Sequence, residues 1–447
     1  MVKRHRELQL LMRGKRVWFV LASILAMLVL AMALSVVLTR GQGVVQGTVV
    51  VPHSVYIWQR EWTAGVREAI QRSQGAFAEW VVLVAEVEFR AGLAPRVVRV
   101  SPDYECLRRS GRPVGLALRV APYAGSFAAH RPESVFLVHL VRELVDDARH
   151  HGIEPASLHL DFDAATRQLG DYCLWLAALR GAADPTPLVV TALPTWLDSP
   201  DFARLVQAAD GYVLQVHSWE PPHASMEGLQ LCDTKRARAA IKRAASLGRP
   251  FWVALPTYGY QAYFDDQGRL VRLAAEGPEL GAPAGLKMRE VRADPASIAE
   301  LVNWLQHHLP AKLRGFIWYR LPQSEDRLNW HWRTLEAVIQ GRSPEAKTEL
   351  QLRHSTEGLV DLTAYAAGEA DSLLDRPILL SWESARLLAA DGLAGFAAIR
   401  AAPHSLSFSP ADHQPIRLSP GQSLTVGWLR FEHPTEIRIH EDNPAFR

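Results

Sequence analysis

Between residues 55 and 321 the chain repeats one pattern eight times: a short apolar run of strand type, followed in most cases by a segment with helical spacing. The strand candidates are 55–62, 80–89, 113–121, 157–163, 188–196, 212–219, 251–258 and 315–321, and the clearest helical segments are 134–151, 167–180, 234–247, 295–308 and 330–340. A helix between two strands returns the chain to the end from which it started, so strands in such a series lie parallel. Eight units over about 290 residues match the size of a (β/α)8 barrel. The spacing therefore predicts an α/β chain with a TIM-like barrel over 51–340; a doubly wound open sheet is the alternative. The weakest stretch is 89–113, where Pro102-Asp103-Tyr104-Glu105-Cys106-Leu107 reads as a short or irregular connection.

Before the barrel, residues 17–38 carry no charged side chain and are long enough to span a bilayer as a helix. Lys3, Arg4, Arg6, Arg13, Lys15 and Arg16 precede this run and only Arg40 follows closely, which puts 1–16 in the cytoplasm as a basic tail. The expectation is a single-pass anchor in the cell inner membrane, a spacer at 39–50, and everything beyond it outside the cytoplasm. A cleaved signal peptide with an Ala31-x-Ala33 site is the rival, for which the apolar run is long. After the barrel, 341–348 reads as a linker. Short alternating runs at 349–352, 405–408 and 424–431, with the turn Ser419-Pro420-Gly421, predict a small sandwich-like β-domain over 349–447.

Lys plus Arg, 49, nearly cancels Asp plus Glu, 47, and the local excess sits at the N-terminus, so the folded part has no basic field for nucleic acid. The three cysteines, Cys106, Cys173 and Cys232, have neither zinc spacing nor the count of a disulfide framework. No cofactor is expected.

In a barrel of this kind the site is built at the C-terminal ends of the strands. Those ends carry Tyr56, Trp58 and Arg60 on the first strand, Glu86 and Glu88 on the second and Arg119 on the third. The fourth carries His159, Asp161 and Asp163, the sixth Gln215 and His217 with Trp219 beyond, the seventh Tyr258 and the eighth Trp318 and Arg320. Barrel interiors are normally filled by branched apolar side chains, so this accumulation at one end asks for a chemical reason. The run Ser157-Leu-His-Leu-Asp-Phe-Asp163 is its centre: period-two alternation sends Leu158, Leu160 and Phe162 to one face and His159, Asp161 and Asp163 to the other. Carboxylates beside flat aromatic faces suit glycoside cleavage, in which one carboxylic acid protonates the leaving oxygen while a second carboxylate, or a group of the substrate, steadies the positive sugar carbon. Asp163, last on the row, is expected as the general acid, with Asp161 and Arg119 setting its protonation and Glu88 as the opposing carboxylate. Asp161 alone also fits a structural carboxylate paired with Arg119. His159 and His217 lack the short spacing of a metal site, so none is expected.

Val55-Tyr-Ile-Trp-Gln-Arg-Glu-Trp62, Glu86-Val-Glu88, Leu158-His-Leu-Asp-Phe-Asp163, Leu193-Pro-Thr-Trp196 and Val213-Leu-Gln-Val-His-Ser218 together resemble the bacterial family known as domain of unknown function 3142, over most of the barrel and none of the C-terminal domain. More remotely, the fourth strand resembles that of chitinase-type glycoside hydrolases of family 18, which ends in an Asp-x-Asp-x-Glu row. His159 falls at the first of those positions, Asp161 at the second and Asp163 where the catalytic Glu stands; the tyrosine of that family's sixth strand has no counterpart beside Gln215 and His217. The expected function is a membrane-anchored, outward-facing protein that acts on an envelope or extracellular polysaccharide. The alternatives are a non-catalytic carbohydrate-binding barrel and an envelope scaffold that makes its contacts through the β-domain.

Overall fold

The computed structural model describes residues 51–90, 92–217, 229–275, 285–411 and 415–440. The tail, span and spacer expected over 1–50 lie outside the described residues, as does Trp219. Among the described residues no helix is long and apolar enough to cross a membrane.

Between Val51 and Ile339 the described residues form twelve strands: β1 (His53–Ile57), β2 (Glu79–Glu88), β3 (Arg96–Arg99), β4 (Val114–Val120), β5 (Leu158–Phe162), β6 (Leu188–Ala192), β7 (Gly211–Gln215), β8 (Phe251–Pro256), β9 (Gly259–Phe264), β10 (Leu270–Ala274), β11 (Lys287–Arg292) and β12 (Leu313–Tyr319). Between them lie helices α1 (Ala64–Ser73), α2 (Tyr104–Arg109), α3 (Pro132–His150), α4 (Leu169–Ala183), α5 (Pro200–Ala208), α6 (Thr234–Ser246) and α7 (Pro295–His307), with α8 (Trp332–Ile339) last. Eight parallel strands run in the order β1-β12-β8-β7-β6-β5-β4-β2, and β1 also pairs with β2, so the sheet closes. Closure removes the open-sheet alternative: Ser54 pairs with Glu79 and Ile57 with Val82. All eight expected strands are present.

Local chemistry fixes the helix starts. Prolines open α3, α5 and α7, where a missing N–H costs nothing. Asp233 accepts from the backbone N–H of Lys235 and Arg236, and Asp294 from that of Ser297. The outward strand faces pack on these helices in one large core, which includes Leu158, Leu160, Phe162, Trp175 and Trp318.

Inside the barrel, a layer of seven apolar side chains comes one from each strand except β5: Tyr56, Val81, Ala117, Val189, Val213, Ala254 and Ile317. On β5 the place between Ala117 and Val189 is held by His159, which is in register with both.

Two segments differ from expectation. Residues 89–113 are not an irregular connection but carry β3 and α2. The first half of β2 pairs with β1, and its second half with β3, through Glu86–Val98 and Glu88–Arg96. Thus β2 outruns β1, and β3 takes the vacated flank as a ledge at the barrel mouth. Between β8 and β12 the chain inserts a three-stranded antiparallel sheet in the order β10-β9-β11. Beyond α8, strands from Thr348 to Ile439 form two four-stranded antiparallel sheets and a two-stranded ribbon. Leu362 and Val426 of one four-stranded sheet share a core with Leu380 and Phe408 of the other, the sandwich-like arrangement expected of an all-β domain.

Candidate active site

At the mouth, β5 presents Asp161, 7% exposed, and just past its end Asp163, which is exposed. Neighbouring strands supply what surrounds Asp161. Thr191 on β6 donates to Asp161 Oδ1 (2.7 Å), Gln215 on β7 donates to the same oxygen at 3.5 Å, and Arg119 on β4, in register with Asp161, places Nη1 3.9 Å from Oδ2. Burial, and next the charge of Asp163, push the Asp161 carboxyl up to about 6; Arg119 and the Thr191 hydroxyl act against them. Replacing Thr191 by Val removes one hydrogen bond to the ionised form, so the Asp161 midpoint is expected to rise further by about one pH unit. Carbon NMR of the labelled carboxyl would read it, and an unchanged midpoint would mean the hydroxyl is not bonded to the anion.

Beneath this layer a hydrogen-bonded chain follows the barrel axis. Ser157 donates to Glu79 Oε1 (2.9 Å), so its oxygen accepts from His159 Nε2–H (3.1 Å), and His159 Nδ1 accepts from the Tyr56 hydroxyl (2.9 Å). Burial lowers His159 to about 3 and raises Glu79, which is consistent with a neutral imidazole in a single tautomer. Tyr56 reaches the cavity above, but His159 does not.

Asp161 and Asp163 open into a cavity of about 220 Å³ whose wall includes Trp58, Tyr258 and Tyr319. The rings meet edge to face: Trp58 and Tyr319 at 5.3 Å, Tyr258 and Tyr319 at 5.3 Å, Tyr56 and Trp58 at 5.4 Å. His217, 7% exposed, stacks on Tyr319 and hydrogen-bonds through Nδ1 to the Tyr258 hydroxyl (3.2 Å). Burial lowers it to about 4, and its Nε2 is buried with no hydrogen-bond partner among the described residues. The cavity opens onto a groove of about 1100 Å³, and Trp58, Arg119, Tyr258 and Tyr319 border both.

The groove charges are largely paired. Arg60 holds Glu86 at 2.5 Å, Glu88 is held by Arg90 (2.8 Å) and Arg96 (3.9 Å), and Arg320 holds Asp326 at 2.8 Å. The hydrogen bond from Arg90 keeps the Glu88 carboxyl below its ordinary range.

The strand-end residues are therefore brought together in part. Asp161, Asp163, Arg119, Gln215, His217, Trp58 and Tyr258 share the inner cavity, whereas Arg60, Glu86, Glu88 and Arg320 lie along the groove. Glu88 does not reach the inner cavity, because it stands on the part of β2 that extends past the barrel rim toward β3. His159 lies one layer too deep. Trp318 faces the opposite way: it is fully buried on the outer face and donates from Nε1 to His53 Nδ1 (3.0 Å), leaving the mouth position of β12 to Tyr319. Thr191 and Tyr319 are additions to the expected set. Among the described residues no group of three or more His, Cys, Asp or Glu side chains could hold a metal ion.

No curated protein matches the chain. Similar solved structures include the spore cortex-lytic enzyme SleL of Bacillus cereus, 12% identical over 66% of this chain and 74% of that one with a TM-score of 0.46. A chitinase from Chromobacterium violaceum is 14% identical over 65% of this chain and 98% of that one, with a TM-score of 0.44. A chitinase from Bacteroides thetaiotaomicron is 13% identical over 61% and 90%, with a TM-score of 0.42. Identities this low carry no residue roles across. Over residues 110–324, which include β4 to β12 and both cavity aspartates, the chain matches the family described as Domain of unknown function (DUF3142).

Proposed function

We propose that the barrel mouth is a glycan site and that Asp163 protonates the leaving oxygen of a glycosidic bond held across it. The observation that carries this reading is the carboxylate pair: one buried and titrating near 6, one exposed, both opening into a small cavity walled by aromatic rings. A sugar ring stacks on such walls through its apolar face, and the groove outside gives room for further residues of the polymer. A glycan lying over Asp163 excludes water from the pair, which favours the form with one proton between the two carboxyls. The proton that the buried Asp161 carboxyl holds passes to Asp163, and Asp163 gives it to the leaving oxygen. Asp161, left ionised against Thr191 and Arg119, then faces the developing positive charge at the sugar carbon. A solvent water adds to that carbon as it gives up a proton to a carboxylate of the pair, completing hydrolysis and restoring the proton lost to the leaving group. Glu88 lies outside the inner cavity and is already neutralised by two arginines, so this reading assigns it to the groove.

We further propose that the barrel works outside the cytoplasmic membrane, tethered through residues 17–38. A reporter fused after Gln340 and active only in the cytoplasm would refute that. The glycan reading is tested by incubating the full chain with purified peptidoglycan strands and with extracellular polysaccharides, measuring both retention and new reducing ends. Cleavage lost in Asp163→Asn supports it. Retention with no new reducing ends favours the carbohydrate-binding alternative, and neither retention nor cleavage removes the glycan reading.

A further inference from the structure

One wall of the groove is the segment after β12, where Arg320, Gln323, Asp326 and Arg327 line it. Asp326 organises this segment by accepting from Arg320 (2.8 Å), the backbone of Gln323 (2.9 Å) and Asn329 Nδ2 (3.0 Å). Its back rests on the inserted sheet. Arg292 of β11 donates to the Arg327 carbonyl (2.5 Å), and Trp330 Nε1 donates to the Ala293 carbonyl (2.9 Å). A Cβ at Gly259 would stand 2.7 Å from the Val291 carbonyl oxygen and 3.0 Å from that of Leu328, so the approach of β9, β11 and the segment admits only glycine there.

Arg292 is in turn held by the β-domain. Its side chain is 17% exposed, and the guanidinium lies 3.2 Å from Glu290 and 3.6 Å from Asp371, while Arg417 lies 2.9 Å from Asp371 and 3.8 Å from Glu290. The four form a ring of alternating charge, two from the insert and two from the β-domain. A second tie joins Thr334 of α8 to the Glu369 carbonyl (2.6 Å) and Arg342 to the Glu369 carboxylate (2.7 Å).

We infer that the C-terminal β-domain is a working part of the groove: Asp371 orients Arg292, and Arg292 fixes the Arg327 carbonyl and with it the wall at 321–331. Asp371 is a positioning residue. Without its charge, Arg292 and Arg417 compete for Glu290, and the bond to the Arg327 carbonyl has no fixed donor. The inference holds whatever the groove binds, so its failure leaves the glycan reading standing.

The test is amide hydrogen exchange on the full chain. In Asp371→Asn, exchange over 321–331 should quicken about tenfold while amides of β5 to β7 stay as protected as before; Asp371→Glu should restore protection. Unchanged exchange over 321–331 in Asp371→Asn, or quickening confined to 349–440, would overturn the inference. Arg292→Gln, which removes the donor to the Arg327 carbonyl itself, must quicken the same amides. Should neither variant fold, 1 M NaCl added to the native chain screens the same ring and must quicken the same amides.

Discussion

Replacing Asp163 by Asn is expected to lower glycan turnover by about 10²- to 10⁴-fold while leaving the fold intact. The substitution keeps the size and shape of the side chain and removes only the group that can carry the proton. Asp163 is exposed at the end of β5, so burial is not lost and no core contact changes. Stability in urea should not fall below that of the native chain, because the charge removed is one that repels the Asp161 anion. The loss should fall on kcat rather than on KM, because the proton matters at bond cleavage and not in seating the sugar. Trp58→Ala is the contrasting case, since it removes a wall of the cavity and should weaken binding first. If Asp163→Asn turns over at a near-native rate while Trp58→Ala fails to bind, the cavity holds the glycan but Asp163 is not its acid.

How far this site is legible in the sequence depends on what each strand end has to reveal. β5 is plain, because Leu158, Leu160 and Phe162 alternate with His159, Asp161 and Asp163, and a polar face can point only into the barrel. Parity does not report depth. Two residues along a strand rise about 6.6 Å, enough to drop His159 out of the cavity into the layer of Tyr56 and Ala117. On β12 both parities are apolar or aromatic, Phe316 and Trp318 against Ile317 and Tyr319, so alternation cannot say which faces inward. Thr191 is ordinary in a strand by propensity, and only the register of β5 against β6 gives its hydroxyl a carboxylate to meet. The ledge β3 and the inserted sheet are hidden for another reason. Their strands carry Arg96, Arg99, Arg272, Lys287 and Glu290 at exposed positions, so neither alternation nor a continuous apolar run marks them. The fold is thus written where apolar faces must be buried, and the site only where a polar face has no other place to go.

Asp161→Asn should make the protein more stable at pH 7.5 and hardly alter it near pH 4. In the folded chain the Asp161 carboxyl titrates near 6, against 3.8 for an unperturbed aspartate. Between those values the folded state holds a proton that the unfolded state has released, so stability falls as pH rises through this window. Below it the carboxyl is protonated in both states and the penalty vanishes. Above it the folded state carries a buried anion whose attraction to Arg119, at 3.9 Å, does not offset burial and the repulsion of Asp163. The full difference is at most about 3 kcal/mol, and asparagine should recover about 1–2 kcal/mol of it, because the Thr191 hydroxyl can still donate to its carbonyl. Urea unfolding at pH 7.5 and pH 4 reads the effect directly. If Asp161→Asn were the less stable protein at pH 7.5, the anion would be stabilised where it stands, and Asp161 would be a structural partner of Arg119 rather than the proton store of the pair. A gain in stability joined to a loss of turnover would show instead that this chain keeps an unfavourable carboxylate at its barrel mouth for the chemistry it allows.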